Sequence, residues 1–166
     1  MLIIEDGAGV PDAESYATAA ELVVYASKFG VTLPVEEAAK EALLRRAALV
    51  MEGMSWKGRK KSGDQALAWP RRGVELDREI KPDSHIPARI KCGQMALAAE
   101  IHADDIDPIE QRKGAVIRER VEGAVDTEYS AISGTSLRLR PAAPDRLSTA
   151  QFGAYIARRG LLAERR

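Results

Sequence analysis

The sequence of 166 residues is poor in cysteine and in aromatic residues. Its single cysteine, Cys92, excludes an intramolecular disulfide and every metal site built from several thiolates. Aromatic residues make up 5% of the chain, whereas alanine, leucine, glutamate and arginine are plentiful, which excludes an all-β fold and favours packed helices. No apolar run approaches the roughly 20 residues that a membrane span requires. We therefore expect a protein made in a reducing cytosol, without membrane contact.

The sequence also lacks a net charge, because 25 basic residues balance 25 acidic residues. This balance argues against a protein that binds polyanions over its whole surface. The charge is nevertheless divided by segment: −6 in residues 1–42, +5 in 56–72, −4 in 103–136 and +5 in the last 30. Two interpretations stay open, namely complementary surfaces of subunits that meet one another, or helix faces that are only solvated.

Hydrophobic periodicity and capping residues predict about four helices. The second is the longest, with apolar residues recurring at steps of three and four. We expect the helices to run from about Ser15 to Phe29, from Pro34 to Met54, from Ser84 or Pro87 to His102, and from a cap at Asp145 through Ala157.

Two other segments break the helical pattern. The glycine-rich and basic composition of residues 55–74 predicts a nonhelical segment between the second and third helices, which we call the excursion. Alternating β-branched residues on either side of Glu122-Gly123 predict a β-hairpin at 116–129. The predicted fold is therefore mainly α, a small bundle of about four helices with a β-hairpin. We divide it into residues 1–147, which form the helical domain, and residues 148–166, a C-terminal helix or arm that could become ordered on assembly.

Motifs for catalysis and for cofactors are missing from the sequence. His85 belongs to a helix-entry turn, His102 ends a helix, and Cys92 lies on an apolar helix face where a thiol is inert. No nucleophile elbow, phosphate-binding loop or dinucleotide motif is present. The acidic turn at Asp104, Asp105 and Asp107 lacks the spacing of a calcium loop. We expect no enzyme activity, no cofactor and no metal.

The excursion is rich in basic residues and contains both tryptophans, Trp56 and Trp69. Its cations could contact phosphates while an indole stacked on a base. Apolar residues precede each tryptophan, which favours a role as structural anchors on the bundle; contact with a protein partner is a third interpretation. The basic candidates are Lys57, Arg59, Lys60, Lys61, Arg71 and Arg72.

Several motifs occur in an order that resembles a family of small tailed-phage proteins. They are Glu5-Asp6-Gly7, residues 11–16, Trp56-Lys57-Gly58-Arg59, the block from Asp64 to Arg71, and Ile86-Pro87 before an alanine-rich helix. Proteins of this family are often labelled DnaT-like single-stranded DNA-binding proteins and stand among the head-tail connector, or adaptor, proteins. The resemblance covers roughly residues 5–129.

The resemblance implies a virion structural protein with a connector-like fold. Such a protein forms a ring, usually twelvefold, that joins the portal protein to the tail or its stopper protein and lets genomic DNA pass. Its place would be the neck of the virion, after synthesis in the host cytoplasm. The family label implies an alternative, single-stranded DNA binding in replication.

A ring requires contacts between unlike faces of neighbouring subunits, and the hairpin and the C-terminal arm are the candidates. The hairpin could add strands to the sheet edge of a neighbour, and the arm could lie in a groove of the portal. The contact candidates are Val116, Arg118, Arg120, Val125 and Tyr129 in the hairpin, and Tyr155, Arg158, Arg159, Leu161 and Leu162 in the arm.

Overall fold

The computed structural model describes residues 1–106, 116–121, 125–129 and 146–157. Its described part contains four helices, in agreement with the predicted mainly helical class. No described helix has the length and apolar character needed to cross a membrane. The helices are α1 (Ala19–Phe29), α2 (Glu37–Glu52), α3 (Ala88–Ile106) and α4 (Leu147–Phe152).

The strands form three separate two-stranded antiparallel sheets. The predicted hairpin at 116–129 is confirmed by the last pair, in which Glu119 lies opposite Thr127. The other two pairs were not predicted, because two-residue strands are too short to show an alternating pattern. The pairs are β1 (Arg59–Lys60) with β2 (Arg71–Arg72), β3 (Glu75–Leu76) with β4 (Glu79–Ile80), and β5 (Val116–Val121) with β6 (Val125–Tyr129).

Helix α1 starts later than the sequence predicted. Thr18 caps it, and Thr18 and Glu21 form a capping box in which each side chain bonds the backbone of the other. Ser15, the predicted start, is instead buried in a short β-bridge with Ile4. The predicted end is correct, because Gly30 takes the left-handed conformation (φ 65°) that stops the helix.

Helix α2 is shorter at both ends than the predicted 34–54, because Pro34 precedes it and Gly53 caps it. Leu43 and Ala47, which the sequence placed on its apolar stripe, are buried. Their position directs this face of α2 toward α3 and the core of the bundle.

Helix α3 continues to Ile106, past the predicted end at His102. The acidic residues assigned to a turn are therefore helical at positions 104 and 105, although negative charge is unfavourable near a helix C-terminus. Two arginines offset this cost. Arg46 donates to Asp105, with the Nη2–Oδ1 pair at 3.0 Å, and Arg146 donates to Asp104 at 3.0 and 3.2 Å.

Helix α4 has only six residues and begins after Arg146, whose side chain makes no capping hydrogen bond, whereas the predicted cap, Asp145, lies outside the described residues. The prediction that it extends through Ala157 is wrong. After Phe152 the chain turns, and Ile156 forms a β-bridge with Trp56. Such a short helix is held by tertiary contacts and not by its own propensity.

Three residues of the segment 148–157, which the sequence prediction assigned to an arm, are buried in the core: Ser148, Phe152 and Tyr155. Phe152 and Tyr155 are 3% and 8% exposed and contact the two tryptophans edge-on. The ring centroids lie 5.2 Å apart for Trp56 and Phe152 and 5.7 Å apart for Trp69 and Tyr155. The remaining arm residues, 158–166, lie outside the described part of the chain.

Candidate functional site

The excursion between α2 and α3 is fastened to the bundle by its two tryptophans. Trp56 and Trp69 are 6% and 1% exposed, and their rings meet edge-on at 6.1 Å. The Trp56 indole donates to the carbonyl of Met51 at 2.8 Å, and the backbone N–H of Trp69 donates to the Tyr16 hydroxyl at 2.9 Å. Burial raises the pKa of this tyrosine. Neither indole face is open for stacking on a nucleic-acid base.

The loop before Trp69 is organised around the buried side chain of Gln65. Its amide nitrogen donates to the carbonyls of Leu67 at 2.7 Å and Pro70 at 3.0 Å, and its oxygen accepts from the N–H of Ser62 at 2.9 Å. The Trp69–Pro70 peptide bond is cis. The block from Asp64 to Arg71, which carried much of the sequence resemblance, therefore maintains a loop conformation.

Arg71 holds the two ends of this loop together. Its guanidinium donates to the carbonyls of Lys57 at 2.8 Å, Ala68 at 3.0 Å and Gly58 at 2.8 Å. Desolvation lowers the pKa of Arg71, although the nearby carboxylate of Glu52 acts in the opposite direction. With three of its five N–H donors bonded to carbonyls, Arg71 stabilises the loop, and we do not count it among the accessible cations.

The β1–β2 pair places like charges opposite each other. Arg59 faces Arg72, and Lys60 faces Arg71. Directly opposed like charges destabilise a β-ladder. The structure offsets this cost because Lys60 bonds Glu52 at 2.9 Å and the Arg72 guanidinium donates to a backbone carbonyl, that of Lys61.

Gly58 makes this close pairing possible. Its φ of 68° lies in the left-handed region, and a Cβ at this position would overlap the Arg72 carbonyl. The sequence therefore places a glycine where the chain must turn into β1.

The cations that remain accessible lie close together along the chain, on β1, β2 and the residues beside β1. Arg59 has no side-chain partner among the described residues, and neither has the ammonium of Lys57. The ammonium of Lys61 donates to the Gly7 carbonyl at 2.9 Å and is half-buried. We call this group of residues the basic ribbon, defined as Lys57, Arg59, Lys60, Lys61 and Arg72.

A buried glutamate fixes the N-terminal loop beside the basic ribbon. The Glu5 carboxylate, 2% exposed, accepts from the backbone N–H groups of Gly7 at 2.8 Å, Gly9 at 2.8 Å and Val10 at 2.7 Å. Because Lys61 bonds the Gly7 carbonyl, the loop and the ribbon form one unit. In the sequence, Glu5 is recognisable only as part of the Glu5-Asp6-Gly7 motif, and its structural role was not predicted.

A second residue whose role was not predicted is Gln94, which is fully buried in α3. Its side chain accepts from the Tyr16 N–H at 2.9 Å and donates to the Leu44 carbonyl and the Ser15 hydroxyl, both at 3.0 Å. It thereby ties the N-terminal segment to α2 and α3. The sequence signal for this buried role is a polar residue placed between Gly93 and Met95, in the most apolar stretch of the helix.

The remaining candidates divide into three groups. The hairpin candidates Val116, Arg118, Arg120, Val125 and Tyr129 lie on β5 and β6, of which the structure describes the backbone. Tyr155 is buried against Trp69. Arg158, Arg159, Leu161 and Leu162 lie outside the described residues. Within the described ranges, no group of three or more His, Cys, Asp or Glu side chains is placed to hold a metal ion.

Comparison with known proteins gives one match. A family model with the description "Putative DnaT-like ssDNA binding protein" covers residues 1–160. No curated protein and no solved structure matches the chain. The family label in the sequence resemblance is thus confirmed and extends beyond residue 129, whereas no comparison supports the head-tail connector assignment.

Proposed function

Because the chain belongs to the family described as DnaT-like single-stranded DNA-binding proteins, we propose that it binds single-stranded DNA through the basic ribbon. The observation that carries this proposal is the pairing of Arg59 with Arg72 across β1 and β2. Lys60 and Arg72 have partners that offset part of this repulsion, whereas the Arg59 side chain has none among the described residues, and a bound phosphate would neutralise it.

Binding of this kind reads the phosphate backbone and not the bases. Both tryptophans are buried, so the indoles that could have stacked on bases are occupied in the core. Phosphate contacts without base contacts carry no sequence information. We expect little sequence preference and a strong dependence on salt, because each neutralised phosphate of a single strand adds about −0.7 to the logarithmic salt slope.

The test is a titration of fluorescently labelled oligo(dT) at several salt concentrations. Arg59→Glu should weaken binding several-fold and reduce the magnitude of the salt slope by about 0.7 for the phosphate contact that is lost. Arg89→Glu is the matched control, because Arg89 is also exposed but lies at the start of α3, outside the ribbon. Absence of binding by the unmodified protein near physiological salt, or equal effects of the two reversals, would contradict the proposal.

A second candidate is the head-tail connector that the sequence resemblance suggests; the burial of Trp56 and Trp69 argues against base stacking and agrees equally with this role. In that role the motif residues stabilise the fold. Other surfaces would form the ring and bind the portal and the tail or stopper protein in the virion neck. Negative-stain images of the protein mixed with its portal test this candidate. A protein that neither forms rings nor binds portal would exclude it.

Both candidates are binding functions without catalysis, and we propose that the chain is not an enzyme. A replication role places it in the host cytoplasm, whereas a connector role places it in the virion. Oligo(dT) binding by the ribbon combined with no portal binding would decide for the first, and the reverse result for the second.

A further inference from the structure

Glu52 brings a carboxylate into contact with the basic ribbon. It is the last residue of α2, and its Oε2 accepts from the Lys60 ammonium at 2.9 Å. The same carboxylate opposes the desolvation that lowers the pKa of Arg71, which stands opposite Lys60 in the β1–β2 pair. A single anion of α2 therefore acts on two cations that face each other across the pair.

A carboxylate at this position is unfavourable in two respects. Negative charge is destabilising near the C-terminus of a helix, and α2 has no basic residue in its last turn. In addition, Oε1 of Glu52 is buried and has no hydrogen-bond partner within the described ranges, and a buried acceptor without a donor costs stability. Neither the end of α2 nor the packing around it accounts for an acidic residue here. The contact with Lys60 is the feature that requires the charge.

The ion pair of Lys60 and Glu52 is open to exchange. Their side chains are 38% and 28% exposed, and ion pairs in contact with water are weak. A phosphate of a bound strand offers Lys60 the same kind of charge-assisted hydrogen bond that the carboxylate does. The two anions therefore compete for one ammonium. At Arg59 no such competition arises, because its side chain has no partner among the described residues.

We propose that Glu52 competes with DNA phosphate for Lys60 and thereby limits the affinity of the basic ribbon for single strands, an inference that rests on the proposed function. In the free protein the carboxylate neutralises Lys60 and offsets part of the repulsion in the β1–β2 pair. In the bound protein a phosphate replaces it at the ammonium. Arg71 remains as the nearby counter-ion of the displaced carboxylate, because three of its five N–H donors are bonded to carbonyls and two are left.

Titration of labelled oligo(dT) with the Glu52→Gln variant tests the competition. Binding should become several-fold tighter, and the magnitude of the salt slope should increase by about 0.7, as one added phosphate contact requires. Glu37→Gln is the matched control, because it makes the same change in net charge at an exposed carboxylate in the first turn of the same helix. Glu37 lies about 22 Å from Glu52 along α2, so its substitution should leave the salt slope unchanged.

A second pair of variants separates release of Lys60 from a general effect of charge. With Lys60→Ala already in place, Glu52→Gln should no longer increase the salt slope, because no ammonium is left to release. A change that acts only through long-range charge would instead raise affinity equally with and without Lys60.

Urea denaturation of each variant verifies that it is folded, and Glu52→Ala provides a second substitution with the same expected gain in affinity. Equal effects of Glu52→Gln and Glu37→Gln, or a Glu52→Gln protein that is less stable but binds as before, would overturn this inference. The proposed function would still stand in either case if Arg59→Glu weakens binding. Absence of oligo(dT) binding by both the unmodified protein and Glu52→Gln would overturn the two together.

Discussion

Phe152 packs directly on the backbone of Gly93, where a Cβ atom would overlap the phenyl ring. A glycine inside a helix costs about 1 kcal/mol relative to alanine. The structure offsets this cost because α4 can approach α3 closely and bring Phe152 and Tyr155 against the tryptophans of the excursion. The position of the excursion therefore depends on a small residue in a distant helix.

Substitution of Gly93 should loosen this packing. We expect Gly93→Ala to lower the free energy of unfolding by about 1–3 kcal/mol, as overpacking does, despite the higher helix propensity of alanine. Urea denaturation measures the change. Gly63→Ala is the control, because that glycine has open space around it. A Gly93→Ala protein as stable as the unmodified one would show that α4 does not pack as described.

Removal of the Trp69 side chain should cost more. The indole is 1% exposed and contacts both Trp56 and Tyr155, so we expect Trp69→Ala to lower the free energy of unfolding by roughly 3–5 kcal/mol. Thermal and urea unfolding both report this change. Leu49→Ala, at an exposed position on α2, should have little effect. Near-normal stability of Trp69→Ala would mean that the indole is exposed in solution.

The sequence predicted the elements that follow from local periodicity and turn chemistry. Helix α2 and the β5–β6 hairpin are examples, because their side-chain patterns repeat over several residues. The end of α3 could not be predicted, since Asp104 and Asp105 are stabilised there by arginines distant in sequence. Local pattern alone favours a turn at such an acidic cluster.

The different roles of the basic residues in the candidate site also cannot be predicted from local sequence pattern. Arg59 and Arg71 both lie in the basic segment and look alike in the sequence. In the structure Arg59 is exposed, whereas Arg71 donates to three carbonyls. Arg71 forms these hydrogen bonds because the tertiary fold brings the carbonyls of Lys57 and Ala68 close to each other. The same holds for Gln94, whose partners lie about 50 and 80 positions away along the chain.

The two arginines should respond differently to the same conservative change. Arg71→Lys replaces a planar group with three carbonyl partners by a single ammonium. Since a hydrogen bond to a charged group contributes about 1.5–3 kcal/mol, we expect a loss of roughly 2 kcal/mol in the free energy of unfolding. Arg59→Lys should leave stability unchanged. Equal unfolding midpoints in urea for both variants would contradict the assigned role of Arg71.

Acid should weaken the attachment of the N-terminal segment to α2. Arg45 donates to both carboxylate oxygens of Glu14, at 2.9 and 3.1 Å, and this lowers the pKa of Glu14. Because the folded pKa lies below the unfolded value of about 4.3, the pair stabilises the protein above that pH, and its contribution disappears as pH falls through the lower folded value.

Glu14→Gln should therefore show a smaller loss of stability than the unmodified protein below about pH 4.3. Thermal unfolding measured at intervals from neutral to acid pH gives this comparison. Glu75→Gln, at an exposed carboxylate without a side-chain partner among the described residues, is the control. Parallel pH profiles for all three proteins would contradict a stabilising role for the pair.

Tryptophan fluorescence should separate phosphate binding from base stacking. Trp56 and Trp69 are the only tryptophans in the chain, and both are buried. We expect a blue-shifted emission that iodide quenches weakly and that saturating oligo(dT) leaves nearly unchanged, even where a labelled oligonucleotide reports binding. Stacking on an indole would instead quench the emission in proportion to occupancy. Strong quenching that tracks saturation would show that the excursion opens on binding and that a tryptophan contacts the bases.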